Sequence, residues 1–231
     1  MEKNNTGKYL KYAIGEIVLV VIGILIALSV NTLNESRKTK EQEKELLSTV
    51  LENIKLDSTL ISSVIEKKNV LIDVHKNLVR FVNGEINKEK LKNIDIVRSA
   101  FQLSILTQKN NPELSNKVSS NSVKNTIFKY YQDIESLEFG IENFNDIVEK
   151  ELRPFLAKKQ LLNYGNQFGN FDDNTLHLID TRKFLKEIQN PALQQVLFEA
   201  GIKFVFIGYA MNNLKNSNEK LKVAITTYLS K

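Results

Sequence analysis

Few side chains in this sequence could do chemistry, and they are scattered. There are two histidines, His75 and His177, and no cysteine. The lack of cysteine excludes disulfides, thiolate nucleophiles and cysteine-ligated zinc. His177 lies near Asp172, Asp173 and Asp180, the one stretch that mixes imidazole with carboxylates. A metal would need three or more of these groups to converge, and their spacing matches no zinc or calcium loop. A polar connector accounts for them equally well. His75 falls on the apolar seam of a predicted long helix, where a buried or half-buried structural imidazole is expected. Tyr130, Tyr131 and Phe128 occupy another periodic stretch and read as core rather than as a ligand platform. No glycine-rich phosphate loop, GxSxG elbow or HExxH motif occurs. These residues predict a non-enzyme with no catalytic residue, no cofactor and no metal site.

The remaining chemically pointed residue is Glu16, an acid inside an apolar run. From Ala13 to Leu33 the chain reads AIGEIVLVVIGILIALSVNTL. At 1.5 Å per residue this helix would span roughly 32 Å, against a hydrocarbon core of about 30 Å. Glu16 and Asn31 are its strongly polar members, and both lie near the ends, where side chains reach the head groups. Tyr9 and Tyr12, beside Lys8 and Lys11, suit the near interface. The anchor residues are therefore expected to be Tyr9, Tyr12, Gly15, Glu16, Gly23 and Asn31. Gly15 and Gly23 lack GxxxG spacing, so they argue only weakly for helix pairing within lipid. A cleaved signal peptide would have a shorter apolar run, although Ala27-Leu28-Ser29 is a passable cleavage site. A pilin-type leader would carry its glutamate at a distance from the cleaved glycine, whereas here Glu16 follows Gly15 directly.

The segment Lys8–Glu35 resembles the opening of a bacterial membrane-anchored family catalogued as a domain of unknown function. Its members begin with a YAIGEIVLVVIGILIAL-type transmembrane helix, followed by a polar Asn/Asn-Glu step and a long charged helix. Here the step is Asn31, Asn34 and Glu35, with Leu33 where relatives commonly carry tryptophan. The resemblance covers about thirty residues. It implies a tethered protein of the Gram-negative envelope, held in the inner membrane, and brings no catalytic residue with it.

The flanking charges nearly balance, with Lys3, Lys8 and Lys11 before the apolar run and Arg37, Lys38, Lys40 and Lys44 after it. The positive-inside rule is therefore indecisive alone. With the resemblance, the expectation is a cytoplasmic N-terminus and a periplasmic C-terminal domain. The net charge of +5 belongs wholly to residues 37–231, because residues 1–36 sum to zero. There it alternates with acids, as at Glu43-Lys44-Glu45, which suits a solvated helix surface and excludes a phosphate-tracking groove. No nucleic-acid partner is expected.

Residues 1–12 read as a short tail, 13–33 as the transmembrane helix and 34–231 as a helical bundle domain. Nine glycines and three prolines are too few for an all-β fold rich in tight turns. Leu47, Val50, Ile54, Ile61, Val64, Leu71, Leu78 and Val82 recur on one seam, with Asp57, Lys68 and His75 in its gaps. This predicts a long helix from about residue 36, stopped at Asn83-Gly84. A shorter helix should carry Ile94, Val97, Phe101 and Ile105 on one face. Val123 through Leu152 has the clearest periodicity, and Pro154 should kink or end that helix. A linker is expected over 163–174 and a short helix from Asp180. Asn190-Pro191 should cap the last helix, whose seam from Leu193 to Tyr228 also holds Asn218, a register-setting position. Ile202–Met211 is too short to cross a bilayer and reads as the buried middle of a bundle helix, with Gly201 and Gly208 leaving a smooth face. The fold class is thus all-α: one transmembrane helix, then an antiparallel bundle of amphipathic helices. In function the sequence points to a membrane-tethered interaction or scaffold module whose partners are the lipid bilayer and either another protein or itself. A ligand-sensing periplasmic bundle is the alternative.

Overall fold

A computed structural model describes residues 6–166 and 178–230, with the side chains of residues 6–11 and 13 outside the description. Helix α1 runs from Thr6 to Val82 without a break, as a stretch free of proline allows. Contact clustering divides the chain into two compact units, Met1–Thr49 and Val50–Lys231. In the first, the residues whose burial is described up to Asn31 are all exposed.

The second unit holds the core. Besides the end of α1 it contains α2 (Leu106–Asn110), α3 (Asn121–Asp146), α4 (Arg153–Lys158), α5 (Thr181–Glu187) and α6 (Pro191–Leu229). No strand occurs among the described residues, only a single bridge between Leu162 and Ile179. The fold is an all-α bundle. Contacts give its directions. Ile54, Lys68 and His75 of α1 meet Asn218, Gly208 and Phe204 of α6. Tyr130, Gly140 and Phe144 of α3 meet Asn218, Phe206 and Phe204. Helix α6 is therefore antiparallel to both α1 and α3, while α1 and α3 point the same way. That is possible because residues 83–120 carry the chain back along the bundle.

Local chemistry sets the ends. Gly84 has φ +73; its N–H bonds to the carbonyl of Phe81, and that of Glu85 to the carbonyl of Arg80. This is a Schellman stop, and glycine accepts the left-handed backbone without a Cβ clash. Asp180 caps α5 by accepting from the Lys183 N–H, and Asn190 caps α6 by accepting from the Ala192 N–H.

One expectation about the elements needs correction. Ile94, Val97, Phe101 and Ile105 are all buried, but not on one helix. Ile94–Arg98 is a 3-10 turn, and the chain from Ser99 to Ile105 lies outside regular helix. Near Pro154, expected to kink or end its helix, the regular helix α3 stops at Asp146 and α4 starts at Arg153. Residues Ile147–Leu152 wind as a π-helix, and α4 continues through the proline. The wider turn relieves the clash between the proline ring and the carbonyl four residues back, and the π-type bond from Arg153 N–H to Val148 needs nothing from Pro154.

Candidate functional site

The apolar stretch of α1 has an 18-residue mean hydropathy of 2.4, and none of it is buried within the fold. This makes it the one helix among the described residues long and apolar enough to cross a membrane. Two polar side chains inside it are satisfied locally. Ser29 Oγ donates to the Leu25 carbonyl at 2.8 Å, and Thr32 Oγ1 to that of Leu28 at 2.9 Å. A hydroxyl satisfied within its own helix is far cheaper to place in hydrocarbon than a bare one. Tyr12, Glu16 and Asn31 are exposed, and nothing lies within 4 Å of a Cβ built at Gly15 or Gly23. Tyr9 lies in α1, with its side chain outside the described residues. Tyr12, Gly15, Glu16, Gly23 and Asn31 thus share one exposed stretch of α1.

The bundle core holds a polar cluster that spacing alone did not announce. Asp57 of α1 is fully buried. Its carboxylate accepts from the N–H groups of Leu106 and Thr107, at 2.7 and 3.1 Å, and from Tyr130 Oη at 3.0 Å. Asn218 Nδ2 of α6 donates both to Tyr130 Oη at 3.1 Å and to the Ile54 carbonyl at 3.2 Å. Burial, then the charge of Asp57, pushes the Tyr130 phenol well above its ordinary range, so it remains a proton donor toward the carboxylate. The cluster ties α1, α2, α3 and α6 together in one register. Its oxygens face main-chain amides and a phenol. Asn218 holds the seam position predicted for it.

His75 is the candidate imidazole within the described residues. Its ring stacks on Phe204 with centroids 6.3 Å apart, beside the Phe101, Phe144 and Phe204 cluster. Its Nε2 is buried with no hydrogen-bond partner among the described residues. Desolvation lowers its pKa from 6.5 to about 4, so the ring is neutral at neutral pH. No group of three or more histidine, aspartate or glutamate side chains that could hold a metal occurs among the described residues. His177, Asp172 and Asp173 lie outside them; Asp180 serves as a helix cap. Tyr130 is core, and Tyr131 is half-buried with its hydroxyl donating to the Asn111 carbonyl. Phe128, expected in the core, is instead exposed on α3.

Two grooves mark the surface of the second unit. One, about 750 Å³, runs along α3, and its charged lining is acidic, with Glu138 and Glu142 among it. Asp146 and Glu149 there pair with Lys150 and Arg153. The other, about 710 Å³, lies between the end of α1 and the start of α6. Its walls are mainly apolar, including Val79, Phe198, Ile202 and Val205, and its charged residues are Lys76 and Arg80. The outer wall of this groove corrects a further expectation. Phe204, Ile207 and Met211 are buried as predicted, but Ile202, Val205, Phe206 and Tyr209 are exposed. Helix α6 thus carries two apolar faces, one of them open.

No family model, curated protein or solved structure matches this chain.

Proposed function

We propose that this chain is a single-pass membrane protein whose helical unit works by contact, not catalysis. In this reading the apolar part of α1 sits in a bacterial inner membrane, and the unit Val50–Lys231 projects into the periplasm to engage another envelope protein or a second copy. The family suggested by the YAIGEIVLVVIGILIAL opening fits the same role. The observation that carries it is the wholly unburied apolar run at the head of a helix whose later residues build a bundle core. A water-soluble protein exposing so continuous an apolar surface would aggregate, whereas lipid covers it without cost. A tether also raises the local concentration of whatever the bundle contacts. The core supports contact over chemistry, because its buried acid is spent on amides and a phenol.

The test is alkaline carbonate extraction of membranes containing the full-length chain. Retention in the pellet, at full mass, is expected. Release into the wash, or a product trimmed near Ser29, would remove the anchor and the reading with it.

A further inference from the structure

We propose that the groove between the end of α1 and the start of α6 binds a free fatty acid, its tail on the apolar walls and its carboxylate at Lys76 and Arg80. This is a binding activity separate from the contact role proposed above. The site lies wholly within the unit Val50–Lys231, so it stands whether or not α1 spans a membrane. The groove holds about 710 Å³, inside the range of roughly 300–1,000 Å³ that small-ligand sites occupy. It runs from His75 to Asn83 on α1, roughly 12 Å at the helical rise. Those dimensions suit one medium-length acyl chain. They do not suit a protein: the exposed apolar wall is chiefly Phe198, Ile202 and Val205, well short of the ~800 Å² that a stable interface covers on each partner.

Charge selects the head group. Lys76 and Arg80 are the charged residues of the lining, and no carboxylate joins them. They stand four residues apart on the α1 wall, one turn above the other, where like charges repel. Lys76 has no ion-pair partner among the described residues. Arg80 reaches Glu85 at 3.4 Å through half-exposed side chains, a kind of pair that contributes little in water. A carboxylate beside both cations relieves the repulsion and accepts charge-assisted hydrogen bonds. The α6 wall is apolar, above a floor that includes the buried Leu78 and Leu197, so each methylene of a tail lying there leaves water. Gly201 makes room for that tail. Glycine within a helix is less favourable than alanine. At Gly140 of α3 packing demands it, because the Phe206 ring lies 2.9 Å from a Cβ built there. At Gly201 a Cβ meets nothing within 4 Å, so no neighbour in the bundle requires the glycine; it lines the groove and leaves its middle open.

In the test, the full-length chain in phosphatidylcholine nanodiscs is irradiated with a diazirine-bearing decanoate, and adducts are mapped by peptide mass spectrometry. Label is expected on the peptides that contain Val79 and Ile202, lost on adding excess decanoate and kept with excess decanol. Lys76→Gln with Arg80→Gln should cut that label at least about tenfold, the factor that ~1.4 kcal/mol represents, and abolish the preference for acid over alcohol. Gly201→Leu, which fills the groove, should cut it as far with helical circular dichroism unchanged. Label within 13–33 reports probe dissolved in the bilayer and should be equal in every variant. Equal competition by decanol, label indifferent to both sets of substitutions, or label confined to 13–33 overturns the fatty-acid site. Displacement by phosphatidylglycerol in the disc, but not by decanoate, gives the groove to a membrane lipid and overturns the free acid as its occupant. Carbonate extraction reads the anchor alone. Should the chain wash free of membranes, the same labelling is done in buffer, so the anchor and the groove fail separately.

Discussion

At the scale of single residues, the informative side chains are polar groups placed where apolar ones would be simpler. Asp57 is a buried carboxylate with no cation among its described partners; its charge is met by two main-chain N–H groups and a phenol. Removing it leaves all three donors unsatisfied in the core, each worth about 1–3 kcal/mol. Asp57→Ala should therefore cost about 3–5 kcal/mol in chemical denaturation followed by helical signal. Tyr130→Phe, which removes one donor to Asp57 and the acceptor of one Asn218 bond while the two amides stay, should cost about 1–2 kcal/mol. Equal costs would mean that the carboxylate does not organise the core. His75 makes a pH prediction. Its folded pKa of about 4 lies below the ordinary 6.5. As pH falls through 6.5 the unfolded chain takes a proton that the native ring refuses, so stability drops between pH 6.5 and about 4 and is unaffected above. The loss is at most ~3 kcal/mol. His75→Leu should abolish that share of the slope, read as the difference between the two stability–pH curves. Parallel curves would show an imidazole that titrates normally. The sequence placed both residues on the α1 seam, yet it gave no sign of what they touch. Partners of Asp57 lie about 50 and 73 residues away, and no local spacing encodes such distances.

Elements differ in how plainly they were written. All nine seam residues of α3 and the π segment after it, from Val123 to Leu152, are buried, because nine consecutive matches to one period leave no other assignment. The segment from Ile94 to Ile105 was misread for a physical reason. Phe101 and Ile105 are four residues apart, a spacing that suits a helix and an extended chain alike. The decisive signal was the alternation of Phe101, Leu103 and Ile105 with Gln102 and Ser104, burying every second residue in varying degree. The extended backbone is then completed from a distance. Asn145 Oδ1 accepts from the Phe101 N–H and its Nδ2 donates to the Phe101 carbonyl, at 2.9 and 2.8 Å, so one amide side chain stands in for a neighbouring strand. Around Pro154 regular α geometry gives way to a π turn, which escapes the clash between the proline ring and the preceding turn. On α6 the hydropathy of Ile202–Met211 was read as burial, but a run apolar on both faces serves two surfaces, and only one is covered within the chain.

For the whole molecule, the proposed anchoring carries a prediction about which side of a membrane receives the bundle, and this too has a physical handle. Long domains cross largely regardless of their own charge, so lysines and arginines close to the apolar run decide orientation. Lys3, Lys8 and Lys11 stand on one side, with Arg37, Lys38, Lys40 and Lys44 on the other. The margin is narrow, three against four, and does not itself favour an inside N-terminus; the proposed orientation rests on the resemblance of the opening stretch. Alkaline phosphatase fused after Lys231, an enzyme active only outside the cytoplasm, is expected to be active in the natural sequence. Because the margin is narrow, Lys8→Gln with Lys11→Gln should lower that activity as part of the population inserts the other way. Arg37→Gln with Lys38→Gln should leave it unchanged or raise it. Activity confined to a cytoplasmic reporter at the same fusion point would reverse the topology. The bundle and its groove between α1 and α6 would then face the cytoplasm, and any partner would have to be sought there.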